Sequence, residues 1–144
     1  MARQTNTDEV DMNIKVISVT ALLIAAPFYA QASAVSELEA NYQSQGAGPF
    51  SAAAGEALWT KTFVDAKSGD KRSCTTCHTA DLTKQGKHAT TGKVIEPMAP
   101  SANPKRLADI KTIKKWFFRN CKWTVGRECT AQEKGDVLAF LKNL

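Results

Sequence analysis

Cys74-Thr75-Thr76-Cys77-His78 is the stretch on which the reading of this 144-residue chain turns. Its C-x-x-C-H spacing is that of a covalent haem attachment. Two thiols three positions apart add across the two vinyl groups of one porphyrin. A histidine directly after the second thiol then lies beneath the iron as its proximal ligand. Cys74, Cys77 and His78 are therefore expected to act as one unit that holds one covalent haem c. A structural zinc site needs a second ligand pair at matched spacing. Cys121 and Cys129 do not supply it.

Toward the amino end, Ser68-Gly69-Asp70 closes the segment that leads into the pentapeptide. Before it, a helix is expected over roughly Ala52 to Phe63, capped by Ser51. Leu58 and Phe63 lie near one face, and Gly55 leaves room for a close helix crossing. Gln45-Gly46-Ala47-Gly48-Pro49 is a breaker cluster that ends an earlier short helix over Val35 to Tyr42. Further back, Lys15 precedes the apolar run Val16 to Ala26, Pro27 interrupts it, and Ala30-Gln31-Ala32 offers a small-residue cleavage site. Residues 1–32 thus read as an export leader, cut after Ala32 or Ala34, with residues 33–144 as the mature domain. The run has 11 residues, well short of the roughly 20 that span a bilayer. No second apolar stretch of spanning length follows, so no membrane span is expected in the mature chain.

The full chain carries 19 Lys plus Arg against 14 Asp plus Glu. The leader removes Arg3 and Lys15 together with Asp8, Glu9 and Asp11, which leaves 112 residues with a charge of +6. So small a domain has a thin core unless a cofactor fills it. A basic exported protein of this kind suits an acidic redox partner rather than nucleic acid, because complementary charge speeds encounter; the plain alternative is that the lysines keep the surface solvated.

Toward the carboxyl end, Thr79 to Ser101 contains Gly86, Gly92, Pro97 and Pro100 with little periodicity and is expected to wrap the haem edge as loop. Asn103-Pro104 reads as a cap with proline at the first helical position, opening a helix to about Cys121, with a break allowed near Asp109. Within it Ile110, Ile113, Trp116, Phe117 and Asn120 form one stripe, with Lys111, Lys115 and Lys122 opposite. Thr130-Ala131-Gln132-Glu133 is a capping box, and Val137, Leu138, Leu141 and Leu144 give the last helix its buried side. No strand pattern or repeat is visible. The expected fold class is all-α.

The sixth iron ligand decides the function, since a permanent one makes an electron carrier and a weak one admits small gases. Met98, 20 residues after His78 in a proline-bounded loop, is one candidate, with core packing as its plain alternative. His88 is the sole other histidine; it suits a contact to a haem propionate at the haem edge, or a solvated loop. Asn120 places a primary amide in an apolar stripe, where its hydrogen-bonding groups are costly to leave unmet. Its plain alternative is a helix-end residue bonded to backbone. A vacant or water-filled position is the fourth option. Cys121 and Cys129, eight positions apart, suit a disulfide in an oxidising compartment, worth about 2–3 kcal/mol on a chain-entropy argument. Simple stapling of a small domain is the plainer role of such a bond; starting on the residue after Asn120, it is also placed to limit how far that amide moves.

The C-x-x-C-H pentapeptide stands together with Gly86-Lys87-His88, Thr91-Gly92-Lys93, Ile95-Glu96-Pro97-Met98-Ala99-Pro100-Ser101 and Asn103-Pro104. To these are added Lys115-Trp116-Phe117-Phe118-Arg119-Asn120-Cys121, Gly126-Arg127 and Cys129-Thr130. This set resembles the sphaeroides haem protein family across most of the mature chain. The resemblance implies a class I cytochrome c-like helical fold. It also implies that Asn120 is an axial ligand that leaves on reduction, and that oxygen, carbon monoxide or nitric oxide then binds. A dihaem c-type cytochrome is the implied electron donor. The related cytochrome c double-prime carries histidine at the ligand position, from which this chain departs. An amide is a hard, weak ligand better suited to ferric than to ferrous iron, which agrees with release on reduction.

The leading expectation is an exported, periplasmic, monohaem c-type cytochrome that accepts electrons and binds diatomic gas. Its rival is a plain electron-transfer cytochrome with permanent His78 and Met98 ligands. A third reading adds reduction of oxygen, nitric oxide or a peroxide, for which the sequence places no acid or base beside the distal site except His88.

Overall fold

The computed structural model describes residues 33–144. The expected leader, residues 1–32, lies outside the described residues. Five helices carry the fold: α1 (Ala34–Ser44), α2 (Ala52–Thr60), α3 (Thr75–His78), α4 (Ile110–Thr124) and α5 (Ala131–Leu141). Their starts are set locally. Ser33 and Ser51 each accept from the backbone N–H three residues on, and Asp109 Oδ1 accepts from Thr112 N at 2.7 Å. Thr130 and Glu133 form the reciprocal capping box of α5. Each cap satisfies a donor that the first helical turn leaves open.

The long helix opens later than its sequence predicts. Residues 104–107 form turns rather than helix, and Leu107 takes a positive φ of 60° that no continuing α-helix tolerates. Asp109, where a break was allowed, is the actual cap. Two small ladders also appear where no strand pattern is visible. β1 (Phe63–Val64) pairs antiparallel with β2 (Lys71–Arg72), and β3 (Gly86–Lys87) with β4 (Val94–Ile95). Two-residue strands are too short to show a period of two. The first ends α2 at Thr60 rather than Phe63; the second lies inside the stretch expected as loop.

Helix α5 is the spine. Its Leu138 joins Val35, Leu38 and Tyr42 of α1 and Ile113 of α4 in one buried cluster. Its Val137 and Leu141 join Trp59 of α2, Leu82 and Ala99 in another. Leu38 and Leu138 are fully buried, each contributing about 1.5–3 kcal/mol by removal from water. The close crossing of α2 and α5 requires Gly55: a Cβ there meets the Asp136 carbonyl oxygen at 2.0 Å.

Candidate functional site

The Cys74–His78 segment folds as a single helical turn. His78 N donates to Cys74 O at 3.1 Å, and Thr79 ends the turn with a φ of 62°. In this turn Cys74 and Cys77 are separated by i,i+3 and Cys74 and His78 by i,i+4, so all three share one side. The hydroxyls just before it are ordered too: Ser73 Oγ lies 2.6 Å from Thr75 Oγ1, and Ser73 N donates to Thr76 Oγ1 at 3.0 Å. Both thiols are half-buried. Burial pushes the Cys74 thiol up to about 11. Burial pushes the His78 imidazole down to about 4, and the Arg106 guanidinium adds to the effect. The imidazole is therefore neutral at physiological pH, the form that binds a metal.

Three neighbours that sequence reasoning missed shape this turn. The Trp59 ring lies 5.3 Å from the His78 ring, and its buried Nε1 has no hydrogen-bond partner among the described residues. Gly86 lets the β3–β4 ladder press against the turn, since a Cβ there meets Cys77 O at 2.1 Å. Arg106 donates through Nε to Pro97 O at 2.9 Å and through a terminal nitrogen to Glu96 O, which holds the segment before Met98. Trp59 had a sequence signal, four residues after the crossing glycine. Gly86 and Arg106 had none beyond a glycine and a cation in irregular chain.

The other expected site residues divide. Met98 is half-buried, and both it and Cys74 pack on the Trp59, Leu82 and Ala99 cluster. His88 is exposed, and its Nδ1 accepts from Thr90 N and Thr91 N at 3.2 Å each, closing the β3–β4 turn. Cys121 and Cys129 are joined by a disulfide, their Cα atoms 5.6 Å apart. Asn120 differs from its expected setting. Ile110, Ile113, Phe117, Cys121 and Thr124 form the buried or half-buried side of α4, whereas Asn120 and Trp116 are exposed, Trp116 at 44%. The physical reason is angular: at 100° per residue the buried arc centres between Ile113 and Cys121, and positions 116 and 120 fall on its flank.

Residues 45–141 match a family model described as "Domain of unknown function (DUF1924)". The chain is 42% identical over 123 residues to the cytochrome c-type protein SHP of Cereibacter sphaeroides, an alignment covering 85% of this chain and 94% of that relative. The chain belongs to the sphaeroides haem protein family. Members of the family are c-type cytochromes with covalently bound haem, and haem c is the cofactor here. The structure described as oxidised SHP, an oxygen-binding cytochrome c, matches with a TM-score of 0.69 at 40% identity, covering 78% of this chain and 98% of that one. Oxidised cytochrome c'' from Methylophilus methylotrophus matches with a TM-score of 0.65 at 30% identity, covering 76% and 93%. The class I-like helical fold is thereby shared.

The residues of this sphaeroides haem protein relative fit the group. An apolar cluster of Trp59, Leu82, Ala99, Val137 and Leu141 is extended by Leu58, Met98, Leu107 and Phe117, and Cys74 packs against it. The buried indole N–H next to His78 is a donor without an acceptor among the described residues. No described helix is long and apolar enough to cross a membrane.

Proposed function

We propose that this chain is an exported, periplasmic, monohaem cytochrome that takes up an electron and binds a diatomic gas. Cys74 and Cys77 hold the haem, His78 is the proximal ligand, and Asn120 is the distal ligand that leaves on reduction. When bound, the haem iron supplies a one-electron centre and a coordination position for oxygen, nitric oxide or carbon monoxide. The chain's own residues do the rest. His78 offers a neutral imidazole nitrogen, Trp59 fixes that ring by contact, and the Cys121–Cys129 bond restrains the helix end that bears the amide. The leader of residues 1–32 delivers the domain, cut after Ala32 or Ala34.

The observation that carries the reading is the position of Asn120: a primary amide immediately before a disulfide cysteine, on the last turns of α4, in a chain 42% identical to SHP. A carboxamide is a weak ligand, more readily lost from ferrous than from ferric iron. The electron donor is an acidic redox protein, by family resemblance a dihaem c-type cytochrome. The exposed lysines Lys111, Lys114, Lys115 and Lys122 on α4 suit such a partner.

A second reading is favoured by the half-buried Met98 sharing a cluster with Cys74. It makes the protein a plain electron carrier with permanent His78 and Met98 ligation. Optical spectra of the oxidised and reduced protein, with and without carbon monoxide, separate the two. Gas binding accompanied by a changed ferric spin state in Asn120→Ala supports the first. A methionine-to-iron charge-transfer band with indifference to carbon monoxide establishes the second.

A further inference from the structure

Arg72 stands two residues before the first haem-attachment cysteine and touches the far end of α4. Its side chain is only 16% exposed. One terminal nitrogen donates to Asp65 Oδ2 at 2.8 Å and to the Trp123 carbonyl oxygen at 3.0 Å. The guanidinium also lies 4.7 Å from the centre of the Trp123 ring. Asp65 is itself oriented for this role: its Oδ1 accepts from Ser68 N at 2.9 Å and Lys67 N at 3.1 Å, which leaves Oδ2 for the arginine.

The contact falls where α4 is least able to hold itself. Carbonyls of the last helical turn lack intrahelical donors, and a cation is favoured there by the helix dipole. Trp123 follows Asn120 by three residues, so the two share one turn of the helix. The disulfide from Cys121 restrains that turn from the carboxyl side. Arg72 restrains it from the segment that leads directly into Cys74.

We infer that Arg72 is a positioning residue that couples the haem-attachment turn to the helix end carrying Asn120, and so sets how readily the distal amide is displaced. The inference rests on Asn120 as distal ligand. Arginine suits the place because one terminal nitrogen serves both acceptors while the planar guanidinium lies over the indole, a flat contact that a lysine ammonium does not make.

The test is imidazole titration of the ferric holoprotein in a four-member cycle: wild type, Asn120→Ala, Arg72→Ala and the double variant. Asn120→Ala removes the internal competitor and tightens imidazole binding. Arg72→Ala is expected to tighten it about five-fold, the lower end of ordinary coupling between sites, and to have no effect in the Asn120→Ala background. If Asn120→Ala tightens binding but Arg72→Ala does nothing, or acts equally in both backgrounds, Arg72 is merely structural. If Asn120→Ala itself changes nothing, the distal assignment fails and the coupling with it. Should Arg72→Ala not accumulate as holoprotein, Arg72→Lys goes through the same cycle. It keeps the charge and loses the flat contact, and a smaller tightening that again vanishes without Asn120 is the expected result.

Discussion

The indole of Trp59 and the imidazole of His78 lie with ring centres 5.3 Å apart and planes tilted by 41°. The same indole is 6.3 Å from the Phe140 ring, so Trp59 links the haem-attachment turn to α5. Its volume matters more than its N–H to the bare polypeptide. Trp59→Ala should cost about 3–5 kcal/mol by the usual toll of emptying a large aromatic site. Trp59→Phe keeps ring contact and removes an unpaired buried donor, so its loss should be well under half of that. Denaturant titration of the two variants side by side checks the ranking, and equal losses would contradict it.

Gly86→Ala forces a methyl group to within 2.1 Å of the Cys77 carbonyl oxygen and 3.0 Å of His78 Cα. Neither atom is the end of a flexible side chain, so the β3–β4 ladder must move off the turn. Overpacking of this kind costs about 1–3 kcal/mol. The expected outcome is a lower melting temperature together with a reduced yield of haem-bearing protein. Lys87→Ala, one residue along and exposed, serves as the control and should leave both unchanged.

Replacing Cys121 and Cys129 together by serine opens a loop with a sequence separation of 8. The chain-entropy argument assigns the closed loop about 2–3 kcal/mol. If the bond also restrains Asn120, the double variant should bind imidazole more tightly in the ferric state as well as melting earlier. Thermal melts with ferric imidazole titration report the two effects separately; a stability loss with unchanged imidazole affinity confines the bond to stapling.

Glu133 bonds to Arg127 at 2.7 Å and receives the Thr130 N–H, and these partners hold its carboxyl down to about 2. A depressed folded-state value means that the stabilisation is present above the unfolded value of about 4.3 and is lost as pH falls toward 2. Melting temperatures of wild type and Glu133→Gln should therefore differ at pH 7 and converge between pH 4 and pH 2. A gap that persists at pH 2 would assign the effect to the capping geometry rather than to charge.

What was legible in the sequence was local. The caps at Ser51 and Thr130 and the haem-attachment turn follow from short spacings whose partners lie within four residues. Asn103-Pro104 carried an equally local signal and misled, because Leu107 takes a left-handed backbone and Asp109 offers a better cap two residues on. Asn120 was placed on the right helix but in the wrong setting, since a stripe wide enough to include Trp116 reaches past the buried arc. Arg72, Gly86 and Arg106 were missed because their partners are distant or are backbone carbonyls, which leave no mark on residue type. Arg72 meets Trp123 across 51 positions.

Val137 and Leu138 are adjacent in α5 yet belong to different clusters. The last helix thus works as a party wall between two rooms. A proteolytic nick within it should bring down both at once, leaving no half-folded remnant for a gel to reveal.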